Sequence, residues 1–191
     1  VEPPIHEELA PHPVSPYGAS KLAGEGYCSA YNGAFGVETI ALRFGNVYGP
    51  GSGRKNSVVA KFIKRALDGE ALEIYGDGAQ TRDFIYVDDL IRAVRLAAVT
   101  EGIGGETFQI ATSAETTVGE LAGKLLPILE ASGAGGVEAR HTEPLFREVM
   151  RNYSDTTKAR EVLGWQANIG LEEGLRKTVK WFVESEQHAS L

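Results

Sequence analysis

Tyr17 and Lys21 stand four positions apart in Tyr17-Gly18-Ala19-Ser20-Lys21. On a helix that spacing puts both side chains on one face, about one turn apart. A phenol titrating near pH ~10 is a weak base at neutral pH, and a neighbouring ammonium favours its phenolate. The pair can therefore serve as a general base, although an interfacial tyrosine beside a solvated lysine gives the same spacing. Other reactive side chains offer less. His6, His12, His141 and His188 are scattered without ligand spacing, so no metal site is expected. Cys28 is the only cysteine, which excludes an internal disulfide framework and a multi-cysteine zinc site. Its place inside the same helix reads as packing.

The 191 residues are enough for one domain of ordinary size. Nineteen Lys+Arg against 26 Asp+Glu leave a net charge of −7, which argues against nucleic acid as a partner. No apolar run approaches the roughly 20 residues of a bilayer-crossing helix, and no apolar segment of the secretory type opens the sequence. A soluble, cytoplasmic α/β protein is expected.

The elements that must position Tyr17 and Lys21 follow from periodicity and punctuation. Five of the eight prolines fall in residues 1–16, which reads as a loop. Pro16 suits a first helical turn, and Leu22, Ala23, Tyr27, Ala30 and Tyr31 recur at helical spacing, predicting a helix over 16–34. Residues 37–44 read as a buried strand ending in a turn-rich stretch at 45–53. Asn56 or Ser57 can cap a helix whose apolar face is Val58, Val59, Phe62, Ile63, Ala66 and Leu67, with Gly69 ending it. Short strands at 72–75 and 83–86 flank a Gly76-Asp77-Gly78 turn. Asp88 or Asp89 starts a helix to about 99, and a strand follows at 107–111. Thr117 and Glu120 have capping-box spacing for a helix to about 131. Asp155 caps a short helix stopped at Gly164, and an amphipathic helix covers 171–184, with its charged stretch from Glu172 to Lys180 as the wet face.

Several of these segments together resemble one family. Ser15-Pro16-Tyr17-Gly18-Ala19-Ser20-Lys21-Leu22-Ala23-Gly24-Glu25 resembles the active-site helix of the extended short-chain dehydrogenases/reductases, and most of all their NAD-dependent nucleotide-sugar epimerases. The resemblance continues through Leu42-Arg43-Phe44-Gly45-Asn46-Val47-Tyr48-Gly49-Pro50 and from Ile74 through Gly76-Asp77-Gly78 and Arg82-Asp83-Phe84 to Asp89. It ends with Asp155-Thr156-Thr157-Lys158-Ala159 and Leu163-Gly164-Trp165.

The resemblance implies a role for each matching position. Tyr17 would take the proton of the sugar 4-hydroxyl while hydride leaves C4 for NAD, and Lys21 would hold the nicotinamide ribose and tune Tyr17. Phe44 would line the nicotinamide end. Asn46 would bond the diphosphate, although an asparagine before Gly49-Pro50 is also a common turn residue. Arg82 would clamp the diphosphate with its planar fork, its plain alternative being a surface ion pair with Asp83. Tyr75 would stack the base and Val59 would border it, with core packing as the alternative for both. In the tail, Leu145 stands where the family carries an arginine and Arg147 where it carries a glycine. Glu148 keeps the ribose-binding position. Tyr153 falls where a bulky residue disfavours N-acetylated sugars, pointing to a plain UDP-hexose.

The implied fold is α/β: the C-terminal part of a Rossmann-type parallel sheet plus a small α+β substrate-binding lobe. Residues 1–55 would belong to the NAD-binding domain, with about 80–112 returning to it, and 56–80 and 113–191 mainly to the nucleotide-sugar lobe. The glycine-rich turn of an NAD-binding βαβ unit is nowhere in the sequence. Nor is the serine or threonine that the family sets shortly before its tyrosine. The chain is therefore expected to be a truncated form of a longer enzyme, its exposed strand and helix surfaces favouring a homo-oligomer. The activity implied for the parent is C4 epimerisation of a nucleotide-activated hexose. A nucleotide-sugar 4,6-dehydratase or decarboxylase is the alternative within the class, and a non-catalytic nucleotide-sugar-binding remnant the alternative outside it.

Overall fold

The computed structural model describes residues 2–145 and 149–189, with side chains described through 185. The helix carrying Tyr17, α1 (Pro16–Phe35), starts where Ser15 Oγ accepts the Gly18 N–H at 3.1 Å and Pro16 takes the first helical position. It ends at Gly36, whose φ of 66° suits a left-handed cap and whose N–H closes on Asn32 O. None of its residues is buried.

Strand β1 (Ala41–Phe44) follows, four residues later than the apolar run at 37–44 predicts. The earlier backbone is engaged elsewhere: Val37 N–H closes the end of α1 on Tyr31 O, and Thr39 O accepts from Gly105 N–H. The stretch after β1 is also more regular than a turn. Asn46–Tyr48 forms β2, and between the two strands a Cβ on Gly45 would sit 2.8 Å from Asp83 O, so only glycine fits the break.

The next elements are α2 (Val58–Leu67), β3 (Leu72–Tyr75), β4 (Thr81–Arg82), β5 (Phe84–Tyr86) and α3 (Val87–Val99). Tyr86 takes the cap position of α3, leaving Asp88 and Asp89 in its first turn, where acidic side chains favour the helix dipole. They are followed by β6 (Thr107–Ile110), β7 (Thr116–Thr117), α4 (Val118–Ala131), β8 (Ala139–Thr142), α5 (Thr157–Leu163) and α6 (Leu171–Ala189). The capping box of α4 forms in both directions: Thr117 N–H to Glu120 Oε2 at 2.8 Å, and Glu120 N–H to Thr117 Oγ1 at 3.0 Å. At α5 the formal cap is Thr156, yet Asp155 Oδ1 accepts the Thr157 N–H at 2.8 Å and supplies the capping bond.

Strands pair parallel as β1 with β6, β2 with β5 and β3 with β8, while β4 and β7 pair antiparallel. Two cores hold the layers. One gathers α2, β3, α4 and α6 around Phe62, Ile63, Leu72, Leu121, Leu125 and Leu175. The other gathers β5, α3, β6 and α5 around Ile85, Phe108, Ile110, Leu163 and Trp165. Trp165 is fully enclosed there and donates its indole N–H to Asp89 O at 2.9 Å. Asp83 ties the end of β6 to the run before α5. Its carboxylate accepts from Thr112 N–H and hydroxyl at 2.7 and 2.6 Å, from Ser113 N–H at 3.0 Å and from Ser154 N–H at 3.3 Å.

Candidate functional site

A groove of about 780 Å³ opens between α1 and the β1–β2 segment. Tyr17, Lys21, Gly24, Glu25 and Cys28 line its helical wall, and Ala41 to Val47 its strand wall. Lys55 and Ser57 close one end. The helix presents this face because positions 17, 21, 24, 25 and 28 share one side of a 3.6-residue repeat. Lys21 Nζ stands 5.1 Å from the Tyr17 ring centroid, and the Tyr17 side chain is open to the groove, the residue being 73% exposed. Phe44 ends β1 with half its surface free, a flat apolar platform beside the two polar groups. Asn46 begins β2, where its backbone N–H donates to Asp83 O at 2.6 Å and leaves the side chain at the groove.

Ser57 also lines the groove, where its sequence position suggested only a helix cap. It occupies the cap position of α2 with extended φ and ψ of −67° and 152°, but its side chain makes no capping bond. Its Oγ is buried and lacks a hydrogen-bond partner among the described residues. A buried hydroxyl left unpaired costs free energy, and the first N–H groups of a helix have no partner within it. Asn46 shares a small recess with Ser57 at the start of α2, and a helix N-terminus is a position where an anionic oxygen can be received. The legible signal was a cap-type serine two residues after Lys55, facing an asparagine that follows a strand.

Other expected site residues lie outside this groove. Val59 is 1% exposed and belongs to the first core, although its surface also borders the recess of Asn46 and Ser57. Tyr75 ends β3 half-buried, its hydroxyl accepting from Lys61 Nζ at 2.9 Å while the ammonium stands 4.9 Å over its ring. Arg82 donates from Nη1 to Thr81 O and Val149 O, both at 2.7 Å. Among the described residues, the Asp83 oxygens accept from Thr112, Ser113 and Ser154. Tyr153 accepts at its carbonyl from Ile5 N–H at 2.8 Å, and the Arg151 guanidinium lies 5.9 Å from its ring. Glu148, with Arg147, lies outside the described residues.

Parallel strands alternating with helices, with a tyrosine–lysine pair on one groove, define an α/β protein of the Rossmann type. A family profile described as "NAD dependent epimerase/dehydratase family" matches residues 1–111, and the chain belongs to that family. It is 38% identical over 186 residues to a UDP-glucose 4-epimerase of Mycolicibacterium smegmatis, covering 96% of this chain and 58% of that protein. It is 39% identical over 180 residues to a putative UDP-glucose 4-epimerase of Methanocaldococcus jannaschii, covering 93% and 56%. The crystal structure of a Thermotoga maritima UDP-glucose 4-epimerase with UDP-glucose superposes with a TM-score of 0.82 at 39% identity, covering 92% of this chain and 56% of that one. The chain thus spans little more than half the length of these relatives. No helix among the described residues is long and apolar enough to cross a membrane.

Proposed function

We propose that this chain carries the acid–base pair and the nucleotide-sugar-binding part of an NAD-dependent C4 epimerase acting on a UDP-hexose. The carrying observation is the convergence of Tyr17 and Lys21 with Asn46 and the unpaired Ser57 hydroxyl on one groove.

The diphosphate is placed at the α2 N-terminus, against Ser57 and Asn46, where the helix dipole and free N–H groups favour negative charge. Arg82, Tyr75, Val59, Tyr153 and Glu148 are assigned to the remaining diphosphate, base and sugar contacts on the strength of the family resemblance. Tyr17 accepts the proton of the sugar 4-hydroxyl as the C4 carbonyl forms, and returns it when the carbonyl is reduced from its other face. Lys21 would hold the nicotinamide ribose and tune Tyr17, and Phe44 would line the nicotinamide end. NAD, when bound, supplies acceptance and return of the C4 hydride. The residues present fit only that nicotinamide–ribose end, because no glycine-rich turn for its pyrophosphate occurs in the sequence. For the chain alone, binding of the nucleotide sugar is therefore expected to outlast binding of NAD.

Calorimetry of this chain with UDP and with NAD tests the assignment. Heat from UDP that disappears in Ser57→Ala with Asn46→Ala supports it. UDP binding that the double variant leaves unchanged overturns it.

A further inference from the structure

The rotation of α1 about its own axis decides whether Tyr17 and Lys21 face the groove; no α1 residue is fully buried, and only Leu22, Glu25, Cys28 and Asn32 among its larger side chains are half-buried. Glu25 continues the stripe of Tyr17 and Lys21 by one more step of four residues, about 12 Å from Tyr17 along the axis. Its carboxylate meets the β1 guanidinium of Arg43 with two bonds, Nε to Oε1 at 2.9 Å and Nη2 to Oε2 at 2.7 Å. Both side chains are about three-quarters covered, at 25% and 23% exposed. A planar fork on a carboxylate fixes direction as well as distance, which a single contact or a lysine at this position does not. The other bonds from α1 to the segment before β1 lie further along the helix: Thr39 Oγ1 to Cys28 O at 2.6 Å and Asn32 Nδ2 to Val37 O at 3.2 Å. Among the described residues, Glu25 is thus the α1 side chain nearest the Tyr17 turn that is bonded to the sheet.

We propose that the Arg43–Glu25 ion pair is the positioning contact that sets the rotation of α1 and turns Tyr17 and Lys21 into the groove. Its meaning for catalysis rests on the reading of Tyr17 and Lys21 as the acid–base pair, whereas the positioning itself does not. The Arg43 guanidinium is held above its usual pKa, chiefly by the hydrogen bond to Glu25. The nearby Glu7 carboxylate adds to the field at Arg43, with its Oε1 engaged by Gln109 N–H at 2.7 Å.

Two readouts on this chain test the proposal without turnover. Cys28, the only cysteine, lies half-buried in the same groove, so its labelling by a thiol reagent reports the seating of the helix. A ¹⁹F resonance from 3-fluorotyrosine incorporated at position 17 reports the surroundings of that ring. Arg43→Gln is expected to raise Cys28 labelling roughly fivefold, the upper range for a partly exposed pair, and to shift the fluorine line. The charge swap, Arg43→Glu with Glu25→Arg, should return both to within about twofold of the parent. Lys158→Gln, which removes the remote 2.7 Å pair with Glu106, should move neither. If circular dichroism shows Arg43→Gln unfolded, Arg43→Lys takes its place, keeping the charge without the fork. A fluorine line that stays put while Cys28 labelling rises reduces the pair to a structural tie and overturns the proposal. Failure of the swap to restore both signals also overturns it. Failure of the epimerase reading is recorded separately, as full turnover by Tyr17→Phe in a full-length parent enzyme.

Discussion

Lys21 Nζ lies 5.1 Å from the centroid of the Tyr17 ring, one helical turn further along α1 and on the same groove wall. That arrangement leaves both side chains lining the groove, open to one ligand.

If the pair performs proton transfer, Tyr17→Phe lowers kcat for UDP-galactose conversion by a full-length parent enzyme by about 10²-fold or more, the usual share of general base catalysis. Lys21→Met lowers it by a comparable factor. Circular dichroism of both variants should match the parent, because neither side chain belongs to a core. Full turnover with Tyr17→Phe refutes the assignment.

Ser57→Ala separates an anion receptor from a helix cap. The hydroxyl makes no capping bond, so thermal stability is expected to hold or rise slightly once an unpaired buried oxygen is gone. UDP affinity should fall about fivefold, the worth of one hydrogen bond near 1 kcal/mol. Stability that drops with unchanged UDP affinity would return Ser57 to a purely structural role.

Asp83→Asn tests the tie beside Arg82. Burial raises the Asp83 carboxyl above its ordinary range, while bonds from Thr112, Ser154 and Ser113 pull the other way. An amide nitrogen turned toward those N–H donors leaves at least one of them unpaired, and the expected loss in urea unfolding is about 2 kcal/mol. An unchanged midpoint would show that water replaces the carboxylate there.

Glu115 gives the pH dependence. The Arg151 guanidinium, bonding it at 2.7 and 2.8 Å, holds its carboxyl at about 2, below the usual carboxylate value of 4.5. A depressed folded value stabilises above the unfolded pKa, and that contribution is lost as pH falls from 4.5 toward 2. Against Glu115→Gln, the parent should melt higher at neutral pH, with the gap closing through that window. A gap that is constant down to pH ~2.5 contradicts the linkage.

Self-association is proposed from the surface of α1. Tyr27, Tyr31 and Phe35 are exposed on it, and Val37 and Phe44 are exposed in the segment that follows. Apolar surface of this extent marks an interaction face. Sedimentation of the chain at micromolar concentration should show a dimer or larger species, and Tyr27→Glu with Tyr31→Glu should shift it toward monomer. A well-folded monomer of the parent chain removes the homo-oligomer from the proposal.

Much of this protein is written locally. Ser15, Pro16 and Gly36 bound α1, the Thr117–Glu120 box starts α4, and the four-residue step from Tyr17 to Lys21 puts both on one helix face, because capping and periodicity act over a few neighbouring residues. The two-residue strands β4 and β7 and the polar strand β8 carry no such signal, since each exists only through a partner distant in the chain, as Ala139 to Thr142 do against Leu72 to Tyr75. The same limit governs the groove. Residue types identified Tyr17, Lys21, Phe44 and Asn46 as candidates, but the tertiary structure decided that Ser57 joins them with an unpaired hydroxyl and that Arg43 reaches Glu25 across 18 residues. It also left Tyr75, Arg82 and Tyr153 outside the groove lining. Which side chains a residue type can serve is a local matter; which of them share a cavity depends on long-range packing, and no short window of sequence contains it.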